Sequence, residues 1–222
     1  MIVDLTHMIE AGMPVYPGDP EVTQESASTM TRDGCRVARL TLSSHTGTHM
    51  DAPAHILSQG TTLDQLPVSQ FCGRAAVLDV SQLAGGVISA QFLRERCCAL
   101  RPADFALFYT GWERLWGTDA FYQGGFPILD HEAAKYLVSC GLKGVGTDAP
   151  GVDPMGGPYD AHRTLLSGGL VILENLRLQR VIGRQDLMLF ALPLKWARAD
   201  GAPVRAVAEF REFPEEDGGE SL

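Results

Sequence analysis

Arg36-Val-Ala-Arg-Leu-Thr-Leu-Ser43, followed after Ser44 by His45-Thr-Gly-Thr-His49-Met-Asp51-Ala-Pro-Ala-His55, is the stretch that decides how this chain is read. Its first half alternates apolar and polar residues, the period of a half-buried strand. Its second half holds three of the chain's six histidines within eleven residues. His45, Gly47, His49 and Asp51 all fall on odd positions. In an extended backbone such residues share one face, at about 6.6–7 Å per two-residue step. An extended segment therefore projects His45, His49 and Asp51 to the same side, with Gly47 leaving room between the histidines. A helix is the rival geometry, because His45 and His49 also mimic the His-Glu-x-x-His spacing of zinc proteases. Position 46 is Thr rather than Glu, and Thr46, Gly47, Thr48 and Pro53 are poor helix formers. The segment is read as a strand end and loop.

Working outward, strands are predicted over residues 2–9, 36–43, 75–80, 104–110, 145–147, 170–173, 187–192 and 204–210. Helices are predicted over 89–100, with Ser89 as N-cap, and over 130–140, capped by Asp130 and stopped at Gly141. Residues 13–20, Met-Pro-Val-Tyr-Pro-Gly-Asp-Pro, hold too many prolines for regular structure and read as a rigid loop. Strands outnumber helices and come first, so the alternation of a doubly wound sheet is missing. The expectation is an α/β fold: a single domain over 1–222 with a mixed, curled sheet. Asp-Ala-Pro occurs at 51–53 and 148–150, too short a repeat to argue duplication.

Composition narrows the function. The 222 residues are 45% apolar and 20% charged, with a net charge of −9. That balance lacks the basic footprint of a nucleic-acid binder, and no Lys/Arg cluster offers itself to an anionic membrane. The expected partner is a small-molecule substrate, with neither nucleic acid nor membrane. The N-terminus shows no signal-peptide pattern and no apolar run is of membrane-spanning length, so a cytoplasmic location is expected. The five cysteines, Cys35, Cys72, Cys97, Cys98 and Cys140, form no C-x-x-C pair and are expected as small buried hydrophobes.

Two imidazoles and a carboxylate suit Zn²⁺, Mn²⁺ or Fe²⁺ with positions left open for water. Such an ion lowers the pKa of water toward neutrality. His55, beyond the rigid Pro53, is placed as a proton carrier. A second pair, His162 and Glu174, stands apart in sequence. Glu174 ends an apolar run, where an unpaired carboxylate is costly. A metal would satisfy it, and so would a salt bridge to Arg177. His7 reads as structural and His131 as a surface residue.

The histidine segment resembles the H-x-G-T-H-x-D-x-P-x-H motif of the cyclase superfamily of metal-dependent hydrolases, which includes bacterial kynurenine formamidases and isatin hydrolase. Pro14-Val-Tyr-Pro-Gly-Asp19 resembles that superfamily's P-x-W-P-G-D loop, and Gly146-Thr-Asp-Ala-Pro150 its G-x-D-x-P turn. Asp160-Ala-His162 and Ile172-Leu-Glu174 match its later ligand segment. Ala191-Leu-Pro-Leu194 and Pro203-Val-Arg-Ala206 resemble its C-terminal strands. The resemblance implies a swivelling β/β/α fold in homodimers or homotetramers. It implies that His45, His49 and Asp51 bind one divalent ion, zinc first and manganese as the alternative. Asp51 and Glu174 would bridge to a second ion with His162 as further ligand, and His55 would donate and accept protons. Tyr16 stands where the formamidase branch carries a substrate-contacting Trp, and Glu174-Asn175 where that branch has Glu-Gly. Tyr16 is accordingly expected to bind substrate.

The expected activity is hydrolysis of a formamide or cyclic amide, with N-formylkynurenine the foremost substrate. Isatin or another small lactam or lactone is the same-class alternative. A catalytically silent metal-binding protein is the alternative outside that class, and it would have no need of His55. A serine hydrolase is rejected, because Ser167-Gly168-Gly169 lacks the Gly-x-Ser-x-Gly elbow.

Overall fold

The structure is a computed structural model that describes residues 1–83, 85–100 and 102–210. The strands are β1 (Ile2–Asp4), β2 (Thr23–Ser28), β3 (Val37–Thr41), β4 (His49–Asp51), β5 (Cys72–Asp79), β6 (Val87–Ile88), β7 (Phe105–Tyr109), β8 (Ile128–Leu129), β9 (Gly144–Thr147), β10 (Val171–Glu174), β11 (Leu187–Pro193) and β12 (Gly201–Glu209). The α-helices are α1 (Met30–Asp33), α2 (Ala90–Arg94), α3 (Cys97–Leu100), α4 (His131–Ser139) and α5 (Asp160–Ser167). Among the described residues, eight strands form one sheet in the order β1-β12-β11-β5-β7-β9-β10-β4. β4 also pairs with β12, so the sheet curls round and closes on itself. The pairs β5–β7, β7–β9 and β9–β10 are parallel and the others antiparallel, which makes this a mixed, curled sheet in a single α/β domain. No helix among the described residues is long and apolar enough to cross a membrane.

Strand alternation divides the apolar side chains between two cores. Phe105, Leu107, Val171 and Leu173 pack with Met50, Leu189 and Ala206 in one cluster. Their neighbours Ala106, Phe108 and Ile172 face the other, packed with Leu137 of α4 and Leu165 and Leu166 of α5. Burial on both faces explains why these strands read as continuous apolar runs rather than alternating ones. α4 starts where Asp130 caps Ala133 N at 2.6 Å and ends before Gly141, whose φ is +73°.

Several expectations change. The strand predicted over 2–9 ends at Asp4, where Asp4 Oδ1 accepts from Thr6 N at 3.2 Å and the chain turns toward Leu176. The helix predicted over 89–100 is split into α2 and α3. Ser89 does cap α2, but the guanidinium of Arg96 takes the Phe92 carbonyl at 3.1 Å. The Arg96 amide then bonds Leu93 O instead, a tightened turn that breaks the helix. The strand over 36–43 exists as β3, yet all five of its residues are exposed. Among the described residues its strand partner is β2, whose residues are likewise exposed except for the half-buried Ser28. Cys35 and Cys98 are exposed and Cys72 and Cys140 half-buried, so the expected burial of the cysteines fails where they fall in a turn or on an outer helix face. The side chain of Cys97 lies outside the described residues.

Candidate metal centre

Strand register builds the site. β4 is inserted antiparallel between β10 and β12, with Glu174 opposite His49 and Gly201 opposite Asp51. Opposed residues share a face, and so do His49 and Asp51 two apart along the strand. Glu174, His49 and Asp51 therefore converge without any loop adjustment. Gly201 completes the face by having no side chain. A Cβ there would lie 2.5 Å from His45 Cε1, so the glycine is the floor on which the His45 ring rests.

His45 arrives differently from the extended run predicted for it. Ser43–Thr46 form a turn, with Thr46 N bonded to Ser43 O at 3.3 Å, and Gly47 takes φ +65°. Gly47 does not open space for an ion. A Cβ at Gly47 would meet Ile9, 3.2 Å away, and Met13 rather than the histidine rings. Its carbonyl is what the site uses, accepting from His49 Nδ1 and from Asn175 Nδ2, both at 2.8 Å. Asn175 itself has φ +57°, a conformation that Asn tolerates and Gly adopts freely. That explains why Asn or Gly can follow the glutamate.

His162 comes from α5, an element not foreseen in the sequence. Its Nε2 lies 3.1 Å from Glu174 Oε1 and 3.7 Å from Asp51 Oδ2. His49 Nε2 lies 3.4 Å from both Asp51 Oδ1 and Glu174 Oε2, and His45 Nδ1 is 2.8 Å from Asp51 Oδ1. One donor group, His45/His55/Asp200, shares His45 with the centre, and two more overlap, His45/His49/Asp51 and Asp51/His162/Glu174; in each group the ligand atoms lie within 4.8 Å of one another. Asp51 belongs to both of the overlapping pair. Glu174 pairs with His49 and His162 rather than with Arg177.

The electrostatics follow from burial among carboxylates. Burial opposes protonation of all three histidines, yet their acidic neighbours outweigh it. His45 is raised to about 9 by Asp51 and Asp200, His49 to about 10 by Asp51 and Glu174, and His162 to about 10 by Asp153 and Glu174. Asp51 is held well below the usual carboxylate range: burial works against this, but His45 and His49 prevail. Its Oδ2 is buried with no hydrogen-bond partner among the described residues. Buried carboxylate oxygens ordinarily have one. An orphaned oxygen ringed by imidazole nitrogens and a second carboxylate fits a divalent cation, which takes the place of the protons these groups otherwise share.

Above this centre lies a cavity of about 260 Å³ lined by Tyr16, His45, His49, His55, His162 and Glu174, with Tyr122, Met155 and Tyr159 among its other walls. Asp51 lies beneath it. His55, at the end of the turn Pro53–His55, has its ring centroid 4.0 Å from that of His45 and 6.3 Å from that of His162. His55 is exposed, yet its pKa is lowered, first by desolvation where the ring is enclosed at the cavity wall and then by the adjacent His45 and His162 charges, against the pull of Asp51 and Glu174. Tyr16 receives Gly156 N on its hydroxyl at 3.3 Å, meets the Tyr159 hydroxyl at 3.4 Å and packs edge-on to Tyr122. Sequence reasoning missed Tyr122, Tyr159, Asp153 and Asp200. Tyr159 stands one helical turn before His162, a spacing that becomes informative once α5 is known.

A closed mixed sheet presenting imidazole and carboxylate donors beneath an aromatic cavity defines a class of metal-dependent α/β proteins. The Cyclase family model matches residues 3–154, and the chain belongs to that family. A kynurenine formamidase of Salinibacter ruber is 37% identical over 218 residues, covering 96% of this chain and 99% of that one. The kynurenine formamidase of Geobacillus thermodenitrificans is 33% identical over 207 residues, covering 92% and 95%. Among solved structures, isatin hydrolase A from Labrenzia aggregata superposes with a TM-score of 0.84 at 28% identity, covering 94% of this chain and 93% of that one.

Proposed function

We propose that this chain is a divalent-metal-dependent amidohydrolase that cleaves N-formylkynurenine to kynurenine and formate. The observation that carries this reading is the joining of two donor groups through one buried carboxylate, Asp51, under an aromatic-walled cavity. The names of the relatives supply the substrate. His45, His49 and Asp51 would hold one ion, and Asp51, His162 and Glu174 a second, with zinc preferred to manganese. A bound ion would polarise the amide carbonyl and acidify water.

The chain's own groups do the rest. Tyr16, Tyr122 and Tyr159 flank a flat aromatic ring and exclude water from it. His55 is neutral at neutral pH because its pKa is lowered, so it can accept a proton from the attacking water. Water's oxygen bonds to the formyl carbon, the C–N bond breaks, and His55 returns the proton to the departing nitrogen. Isatin is the second reading, favoured by the superposition on isatin hydrolase.

The test is to strip the protein with a chelator, reload it with Zn²⁺ or Mn²⁺, and follow both substrates spectroscopically. N-formylkynurenine should turn over only in reloaded protein. His55→Ala should retain its metal while kcat falls by about 10²–10⁴-fold. Turnover of isatin alone would move the substrate assignment, and an undiminished kcat in His55→Ala would remove the proton role.

A further inference from the structure

Each of the three histidines facing Asp51 and Glu174 has its other ring nitrogen occupied. His49 Nδ1 bonds the Gly47 carbonyl at 2.8 Å. His162 Nδ1 bonds Asp153 Oδ2 at 2.6 Å. His45 Nε2 bonds Asp200 Oδ2 at 3.1 Å. A ring nitrogen that donates outward fixes the tautomer and leaves the opposite nitrogen's lone pair directed inward. Of the two backing carboxylates, Asp153 belongs to none of the donor groups, and Asp200 lies outside the two that share Asp51, meeting only His45 and His55 in a third, more open set. They are also built unequally. Asp153 is 4% exposed, and it holds His162 by side chain and backbone together: Oδ2 also accepts from His162 N at 2.8 Å, and Oδ1 from Ala161 N at 2.9 Å. Asp200 is 46% exposed and, beside His45, takes the Ser44 hydroxyl at 3.3 Å. His45 is likewise more open than His162, at 16% against 7%.

We propose that Asp153 and Asp200 are positioning residues, each dedicated to one of two ion positions, and that they make those positions unequal. Asp153 orients His162 for the position shared by Asp51 and Glu174, which holds its ion tightly and exchanges it slowly. Asp200 orients His45 for the position shared by His49 and Asp51, which exchanges readily. The inference rests on the donor set proposed above but not on the substrate.

Stripped protein is titrated with Co²⁺ or Zn²⁺ against a chromophoric chelator, and ion release into excess chelator is followed over time. The wild type should bind two equivalents and release them in a fast and a slow phase. Asp153→Asn should weaken the tighter step by about 10–100-fold and accelerate only the slow phase. Asp200→Asn should weaken the other step and accelerate only the fast phase. Asn at position 153 keeps only one of the two oxygens that accept from Ala161 N and His162 N, so the melting temperature of stripped protein should fall, and the assignment is read from which release phase moves. Asp153→Glu, which restores charge at longer reach, should regain part of the lost affinity. Wild-type affinities in both variants, loss of the same step in both, or a single equivalent in the wild type would overturn the proposal. Two selective losses in a protein inert toward N-formylkynurenine would retire the substrate reading and leave this one standing.

Discussion

His7 is buried against Trp116, with ring centroids 4.1 Å apart and planes 17° from parallel, and its Nε2 has no hydrogen-bond partner among the described residues. Burial, and secondarily the charge of Arg177, depress its pKa from 6.5 to about 4. Across that window the unfolded chain binds a proton that the folded chain refuses, so folding stability rises with pH. The contribution is complete above pH 6.5 and is lost as pH falls through about 4. His7→Phe keeps the stacked ring and removes the titration. Thermal melts of wild type and variant should diverge between pH 6.5 and 4, the variant losing less stability; parallel curves would show that His7 titrates normally.

At the level of elements, α4 owes its start to one side chain. Asp130→Ala removes the acceptor for Ala133 N and should cost about 1 kcal/mol in denaturant unfolding, with the metal content unchanged. This helix was legible because cap, buried stripe and terminating glycine all lie within a dozen or so residues. β7 and β11 were legible for a similar reason, their apolar runs being local. β2, Thr-Gln-Glu-Ser-Ala-Ser, was not: an exposed ribbon strand carries no burial pattern to read. α5 is short, and its buried positions Ala161, His162, Leu165 and Leu166 make too brief a stripe to announce a helix. The site divides the same way. His49 and Asp51 were legible from strand parity, whereas His45 reached the same cluster through a turn at Gly47 that parity does not describe. Asp153 lies nine residues before His162, a separation with no helical or strand meaning, and a loop folding back onto the start of α5 joins them.

Across the whole molecule, the β2–β3 ribbon leaves Val37 and Leu40 half-exposed or more, at 50% and 56%. Leu40 shares one face of β3 with Ala38 while Val37 lies on the other, and a second copy of the chain laid on the Ala38–Leu40 face would satisfy the alternating pattern read there. Light scattering should give the mass of a homodimer or homotetramer, and Leu40→Arg should shift it toward the monomer. A monomeric wild type would count against this assembly.

The three-residue strand β4 is held by β10 on one edge and by β12 on the other, and it carries His49 and Asp51. The strand that shuts the barrel is thus also the strand that presents the ligands, so an ion bound there is expected to stabilise the closed barrel. Ligands that bind only the closed form protect it. In amide hydrogen exchange, chelation should deprotect Ala52 and Val204, whose amides bond Asp200 O and Thr48 O across this junction. The parallel strands β5 and β7 on the far side should exchange at unchanged rates. The metal centre would then serve as the clasp of the fold.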